Sequence, residues 1–282
     1  MFHLLSLFTS RRLALAASVL IATSAQALEE VPFITSPDNV TLEMLNVAKV
    51  GPSDHVIDLG SGDGRIVITA AKRFGASGLG VEIVPDLVQR SIRSAHDAGV
   101  ADRVAFKVQD LFQTDLSPAT VITMYLLTEV NLQLRPALLA LKPGTRVVSH
   151  DWDMGDWKPE QTTVVSVPDK QVGREKSSKV HLWVVPARVE GQWCGAGLLQ
   201  GTGLQLVQRH QEFEGTLVRG DRTRKVNGRI EGDMLRTSRE SAGRAGELVL
   251  RLEGDQLRIV SAGGPLALAQ GMAFARANGS GC

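Results

Sequence analysis

Three acidic side chains stand at the ends of successive short apolar segments in the first half of the chain. Asp58 lies within the segment 56–59, and Glu82 and Asp110 close the segments 78–82 and 103–110. Because the carboxyl ends of parallel strands meet at one edge of a sheet, we expect the three carboxylates to border a common crevice. Carboxylates there can accept hydrogen bonds from an ammonium, from vicinal hydroxyls or from an exocyclic amino group.

A glycine-rich turn follows the first of these segments. Gly60, Gly62 and Gly64 occupy every second position, whereas a dinucleotide-binding turn reads Gly-x-Gly-x-x-Gly. The acidic residues Asp58 and Asp63 crowd the turn, which disfavours a phosphate and favours a ligand that carries an ammonium and a sulfonium. S-adenosylmethionine (SAM) carries both groups, so the turn predicts a SAM site. An NAD-dependent oxidoreductase is the less favoured alternative.

The elements around the turn alternate between strands and helices. This order predicts a Rossmann-like, doubly wound α/β sheet for residues 28–186. Ser36 is expected to cap the first helix, and Pro136 to break or restart the helix over 131–141. Residues 119–127 are predicted to form the fourth strand, and the polar, basic segment 168–178 a mobile loop between the last two strands.

The pattern changes after residue 186. Residues 187–282 contain short alternating segments separated by turns such as Asn227-Gly228 and Glu253-Gly254-Asp255. These are hairpin signals, and they predict a small antiparallel β meander or barrel.

The first residues have the pattern of a secretory signal peptide. Arg11 and Arg12 precede an apolar run over 13–22, and small residues lead to an expected cleavage site after Ala27. Residues 1–27 are therefore predicted to direct export to the periplasm, with an uncleaved anchor as the alternative and a cytoplasmic chain if the start is misassigned. No stable membrane span is expected in the mature chain.

Composition narrows the classes of partner. The net charge is +1 and aromatic residues make up 5%, so neither a basic field nor a base-stacking surface for nucleic acid is expected. Cys194 and Cys282 do not have metal-ligand spacing, and no metal is implied. We expect two unpaired thiols, with a bond between them as the alternative in an exported chain.

Residues 31–186 resemble the class I SAM-dependent methyltransferases. More narrowly, they resemble the branch of the ATP synthase c-subunit lysine N-methyltransferases, with an extra C-terminal β domain. The resemblance rests on the glycine turn, the lead-in 31–37 and the segments 125–127, 134–136 and 147–151. It implies that Asp58 holds the amino end of SAM above the turn, Glu82 the ribose hydroxyls, and Asp110 with Leu111 the adenine. The predicted cofactor-binding residues are Ser36, Asp58, Leu59, Gly60, Gly62, Gly64, Glu82, Asp110 and Leu111.

The predicted function is methyl transfer from SAM to a nucleophilic acceptor, with a protein lysine amine as the candidate. An amine acceptor must be neutral to react, so the site needs groups that orient or deprotonate it. Tyr125, His150 and Asp151 are the candidate catalytic residues, because the fourth and fifth strands would carry them to the carboxyl edge. The alternative from another class is an exported, non-catalytic binding protein that retains the fold.

Overall fold

The computed structural model describes residues 34–171, 173–242, 246–277 and 282, and Thr35–Cys282 forms one compact unit. The predicted signal peptide over 1–27 lies outside the described residues. Within the described part of the chain, no helix combines the length and the hydropathy needed to cross a membrane.

Seven strands form the sheet, in the order β3-β2-β1-β4-β5-β7-β6. Strands β1 to β5 are parallel, and β7 runs antiparallel to both of its neighbours. This arrangement confirms the Rossmann-like α/β prediction. The elements are α1 (Asp38–Val47), β1 (His55–Leu59), α2 (Arg65–Phe74), β2 (Ser77–Glu82), α3 (Pro85–Asp97), β3 (Val104–Val108), β4 (Val121–Met124), α4 (Thr128–Leu138), β5 (Arg146–His150), β6 (Gln161–Ser166) and β7 (Ser177–Val184).

Helices cover both faces of the sheet. Both faces need cover because successive residues of a strand point in opposite directions, and the residues on both sides of the buried strands are apolar. Val56 of β1 packs with α1 and α2 on one face. Its neighbour Ile57 packs on the other face with Leu134 and Leu138 of α4 and with Trp183. The central strands are apolar on both sides for this reason, as is typical of a buried parallel sheet.

The second half of the chain is a closed barrel of eight antiparallel strands. It closes because the last strand pairs with the first, with Phe274 opposite Gly195. Inward residues such as Trp193, Leu250 and Phe274 fill its interior, so the barrel is a packed core. The elements are β8 (Gly191–Gly195), β9 (Thr202–Arg209), β10 (Glu212–Arg219), β11 (Arg222–Glu231), β12 (Met234–Thr237), α5 (Arg239–Ala242), β13 (Leu248–Glu253), β14 (Gln256–Ala262) and β15 (Ala273–Arg276).

The barrel contacts the segment that leads into β6. Arg229 pairs with Glu160 at 2.7 Å, and the ring of His210 stacks on buried Trp157 with centroids 6.2 Å apart. Both polar and apolar contacts therefore join the sheet and the barrel.

Two expected helix features are wrong. Pro37 is the N-cap of α1, and the Ser36 hydroxyl does not cap that helix but lies 2.8 Å from His150 Nδ1. Pro136 does not break α4, which continues to Leu138. It lies in the last turn of the helix, so the one backbone bond that its missing N–H would have made is lost only two residues before the helix ends. Strand β4 ends at Met124, so Tyr125 belongs to the turn that leads into α4.

The expectation of two free thiols is also wrong. Cys194 and Cys282 form a disulfide with a Cα–Cα distance of 5.2 Å. The seam between β15 and β8 explains the pairing, since the N–H of Ala277 donates to Gln192 O and brings the chain end alongside β8. This proximity comes from barrel closure, which a sequence separation of 88 residues does not indicate.

Candidate functional site

The glycine turn is built by left-handed backbone conformations. Gly60, Gly62 and Gly64 have φ angles of +74°, +53° and +78°, which side chains larger than hydrogen disfavour. The backbone N–H groups of Gly60 and Ser61 both donate to Val81 O, which fixes the turn to the end of β2. A Cβ on Gly64 would stand 2.7 Å from the ring of Phe106. The turn therefore needs glycine both for its angles and for its packing.

Asp58 is a buried carboxylate at the end of β1. Its Oδ1 accepts a hydrogen bond of 2.7 Å from Thr123 Oγ1 on the adjacent strand β4. Burial raises the pKa of Asp58 to about 7, and repulsion by Glu82 and Asp63 adds to the shift. A cation beside this carboxylate would relieve the burial penalty, so the site fits the ammonium of a bound SAM. Ser61 Oγ in the adjoining turn is buried without a hydrogen-bond partner in the described chain.

Glu82 joins the end of β2 to the glycine turn. Its Oε2 accepts from the N–H of Gly62 at 3.0 Å, and its Oε1 accepts from the N–H groups of Ile83 and Val84. These bonds orient the carboxylate and leave Oε2, which accepts only one of them, with lone-pair capacity for a ligand hydroxyl. The position suits the ribose role that the resemblance implies.

Asp110 stands at the end of β3 and begins a short turn over Leu111–Gln113. Its Oδ1 accepts from the N–H of Phe112 at 2.9 Å, so one carboxylate oxygen orders the turn. Ile83 and Phe112 are large apolar residues left exposed at the ends of β2 and β3, and the sequence reasoning did not single them out. Their exposure is the structural signal that an apolar surface is available there for a flat ring.

Asp63 differs from Asp58, Glu82 and Asp110, because both of its carboxylate oxygens are paired with an arginine of the chain. Its two oxygens accept from Arg65 Nε and a terminal nitrogen of the same guanidinium, at 2.9 and 2.7 Å. Burial opposes ionisation of Asp63, but the Arg65 hydrogen bonds and charge outweigh it and lower the pKa. Arg65 also donates to Ser36 O, so this pair fastens the glycine turn to the segment before α1. Because Arg65 pairs with Asp63, the carboxylate that remains to attract a cationic ligand at the turn is Asp58.

Tyr125 and His150 meet at the carboxyl edge beyond β4 and β5. Their rings stack with centroids 3.9 Å apart. Both His150 nitrogens lie near hydroxyls, Nδ1 at 2.8 Å from Ser36 Oγ and Nε2 at 2.9 Å from Ser178 Oγ. Burial lowers the pKa of His150 to about 4, so the ring is neutral at pH 7. This geometry favours orientation of Tyr125 over proton abstraction as the role of His150.

Asp151 completes this group and is held from several sides. Its φ of +62° is unusual for a residue with a side chain. Its Oδ1 accepts from the N–H of Lys179 at 2.8 Å, and its Oδ2 accepts from Lys170 Nζ at 2.7 Å. Burial, with the charge of Asp151 as a second cause, raises the pKa of Tyr125. The structure thus brings Tyr125, His150 and Asp151 together, and adds Ser36, Ser178 and Lys170 as their partners.

Known proteins resemble the sheet part of the chain. The model of the ANTKMT methyltransferase domain matches residues 58–161. A protein-lysine N-methyltransferase from Saccharolobus islandicus (strain REY15A) is 42% identical over 157 residues, which are 55% of this chain and 94% of that protein. The ATP synthase c-subunit lysine N-methyltransferase of Mus musculus is 36% identical over 38% of this chain. The chain spans only 44% of the mouse protein.

The chain also resembles a solved methyltransferase structure that contains S-adenosyl-L-homocysteine. The RNA methyltransferase from Salinibacter ruber in complex with S-adenosyl-L-homocysteine is 47% identical, with a TM-score of 0.50. The alignment covers 55% of this chain and 96% of that one.

The fold and the donor site define a SAM-dependent methyltransferase, with SAM as the cofactor. Within that class, the chain belongs to the family of the ANTKMT methyltransferase domain. The family match ends at residue 161, before the barrel begins at Gly191. The comparisons favour this function over both an NAD-dependent oxidoreductase and a non-catalytic binding protein.

Proposed function

We propose that this methyltransferase transfers the methyl group of SAM to a lysine side-chain amine of a protein. The observation that carries the proposal is the 42% identity with a protein-lysine N-methyltransferase across 94% of that relative's length. Nearly the whole length of the relative is therefore matched by just over half of this chain.

The donor side follows from the residues at the ends of β1, β2 and β3. SAM supplies an electrophilic methyl group, because its sulfur is a sulfonium. Asp58 would hold the ammonium, Glu82 the ribose hydroxyls, and Asp110 with Leu111 the adenine. Gly60 and Gly62 leave the backbone bare, so a ligand can approach it closely. Alignment by such contacts can supply about 7–11 kcal/mol of the activation barrier.

The acceptor side follows from Tyr125 and Asp151. A lysine ammonium must lose a proton before its nitrogen can attack, and a carboxylate at the carboxyl edge can attract the ammonium and take that proton. Neutral His150 stacks on Tyr125 and holds its ring in place. In this proposal Tyr125 and Asp151 orient the amine, and His150 is a positioning residue.

RNA is the second candidate acceptor. The Salinibacter relative, an RNA methyltransferase by name, is 47% identical over 96% of its length. The net charge of +1 weighs against it, because affinity for nucleic acid depends largely on neutralising phosphates.

The test offers both acceptors to the purified full chain. Protein extract and total RNA are incubated with SAM labelled in its methyl group, and the products are digested to amino acids and nucleosides. We expect label in methyllysine, and loss of that label in Asp58→Asn. Asp115→Asn, which alters an exposed acid far from the glycine turn in sequence, is the matched control and should keep it. Label in nucleosides with none in lysine would replace the proposal with the RNA candidate.

We further propose that the chain is exported, as the pattern over residues 1–27 predicts. The Cys194–Cys282 disulfide supports this, because such bonds persist mainly in oxidising compartments. A phosphatase reporter that is active only outside the cytoplasm, fused after residue 60, tests the proposal. A reporter that stays inactive while the fusion accumulates would contradict export and favour the misassigned start.

A further inference from the structure

A lysine of the chain itself reaches the proposed acceptor side of the site. Lys170 lies between β6 and β7, and its ammonium donates to Asp151 Oδ2 and to Ser177 O, both at 2.7 Å. Its side chain is only 14% exposed. The basic segment noted in the sequence therefore places one of its amines inside the fold, on the carboxylate proposed to receive an acceptor amine.

Strand register gives the position of this amine relative to the donor site. Met124 of β4 pairs with Leu59 of β1 on one side and with Ser149 of β5 on the other. The residues that follow these three are Tyr125, Gly60 and His150, so the segments that leave β4, β1 and β5 begin side by side at this edge. Along the carboxyl edge, the order is the glycine turn, the Tyr125–His150 stack, Asp151 and then Lys170.

The β6–β7 connection reaches this edge because of the direction of β7. That strand runs antiparallel to β5, with Val180 opposite His150, so its first residues lie where β5 ends. The N–H of Lys179 on β7 bonds Asp151 Oδ1. Asp151 thus bonds strand β7 through Oδ1 and the connection through Oδ2, and these contacts within one chain hold Lys170 in place.

We propose that Lys170 is a methyl acceptor in its own chain, a self-methylation site; this rests on the proposed lysine methyltransferase function. In the step, Lys170 Nζ passes a proton to Asp151 Oδ2, and the neutral amine rotates about the Cε–Nζ bond so that its lone pair faces away from Asp151. The lone pair then forms a bond to the methyl carbon of SAM, and the two remaining N–H groups face Asp151 and Ser177. The bond between that carbon and sulfur breaks, and its electron pair stays on sulfur to give S-adenosylhomocysteine. The proton on Asp151 then passes to solvent.

The hydrogen bonds of Lys170 set the degree of methylation. An ammonium has three N–H groups, and two of those on Lys170 have acceptors in the described structure. One methyl group can therefore replace the third hydrogen without the loss of either bond. A second methyl would cost the bond to Asp151 or to Ser177, so monomethyllysine is the expected product.

The test uses the full chain with SAM and no added acceptor, followed by mass mapping of its peptides. We expect one added methyl on Lys170, at a rate per molecule that is independent of protein concentration, and no such product in Lys170→Arg. The control is Lys176→Arg in the same segment, whose exposed side chain contacts Lys170 O, and which should leave Lys170 methylation intact. Mass mapping of the chain isolated from cells is a second measurement. Lys170 should be methylated in the parent and unmethylated in Asp58→Asn.

Several results would overturn the inference. A bare Lys170 in a chain that methylates added protein would reject self-methylation and leave the proposed function standing. Methylation at other lysines only would do the same. A rate per molecule that rises in proportion to concentration would reject transfer within one chain. A chain that labels nothing, including itself, would reject both proposals.

Discussion

At the scale of single residues, two buried groups beside the site are shifted in opposite directions. Burial raises the pKa of Asp58 from 3.8 to about 7 and lowers that of His150 from 6.5 to about 4. Each shift favours the neutral form of its group in the folded chain. Their effects on stability therefore have opposite signs in the same pH range.

The first prediction concerns this compensation. Between pH 4 and 6.5 the folded chain keeps a proton on Asp58 that the unfolded chain has lost, so this group makes stability fall as pH rises. In this range His150 binds its proton in the unfolded chain only, so it makes stability rise with pH. A difference of one bound proton changes the unfolding free energy by about 1.4 kcal/mol per pH unit for each of the two groups. We expect thermal stability, measured by calorimetry, to rise more steeply with pH in Asp58→Asn than in the parent, and less steeply in His150→Gln than in the parent. Parallel profiles in all three chains would contradict the assigned shifts.

The second prediction concerns ligand affinity. A bound ammonium favours ionised Asp58, whose pKa is about 7 in the free chain. Affinity for S-adenosylhomocysteine should therefore increase about tenfold between about pH 6 and pH 8, as the ionised fraction rises. Asp58→Asn should bind weakly with no such dependence, while Asp115→Asn should keep it. Titration calorimetry measures both, and a pH-dependence that survives in Asp58→Asn would assign it to another group.

Sequence reasoning located Asp58, Glu82 and Asp110 at strand ends but did not find most of the partners of the predicted site residues. Asp58, Glu82 and Asp110 could be predicted because strand ends and glycines are local patterns. Thr123 lies 65 residues from Asp58, and Ser178 lies 28 residues from His150, so their hydrogen bonds depend on strand register across the sheet. Thr123 did leave one signal, as a polar residue within the otherwise apolar strand β4.

At the scale of elements, the connection from β1 to α2 positions the donor site. Gly64 is the N-cap of α2 with a left-handed conformation, and Phe106 of β3 fills the space beside it. The angle between strand and helix is therefore fixed by contact with a neighbouring strand as well as by backbone preference.

The third prediction separates these two effects. In Gly64→Ala the added Cβ would stand 2.7 Å from the Phe106 ring and 2.8 Å from Ser91 Cβ, so the turn must shift. We expect a loss of about 2–4 kcal/mol in unfolding free energy, from strain and overpacking together, and weaker binding of S-adenosylhomocysteine. Gly99→Ala is the matched control, since Gly99 has φ +70° and nothing within 4 Å of an added Cβ. It should cost about 1 kcal/mol and leave binding unchanged. Urea unfolding and titration give the comparison, and equal losses in both variants would contradict the packing argument.

Elements were predicted where their pattern is local. The alternation of strands and helices gave the sheet, and turn signals gave the antiparallel strands after residue 186. Closure of the barrel depends on pairing between β8 and β15, which are far apart in sequence, and no local pattern encodes it. The end of β4 was misplaced because residues 125–127 are apolar enough to extend a strand, while the chain turns there to start α4 at Thr128.

At the scale of the whole molecule, the disulfide closes a loop that contains nearly the entire barrel. The fourth prediction is that reduction, or Cys194→Ser, lowers the unfolding free energy by about 2–4 kcal/mol, because the unfolded chain regains the entropy of that loop. Denaturant titration with and without reductant measures the change. Gln192→Ser, which alters a neighbour on β8 without removing the bond, serves as the control and should respond to reductant like the parent. Identical stability in oxidised and reduced parent chains would contradict the prediction.

The sheet and the barrel also differ in how another protein could recognise them. Every barrel strand has two hydrogen-bonded neighbours in the described structure, so most of the barrel backbone is already paired and the outer surface offers mainly side chains. Strands β3 and β6, at the two borders of the sheet, have one neighbour each. An extended peptide that binds by backbone pairing therefore finds whole free strand borders on the methyltransferase half, whereas a ligand of the barrel is selected mainly by the shape and charge of side chains.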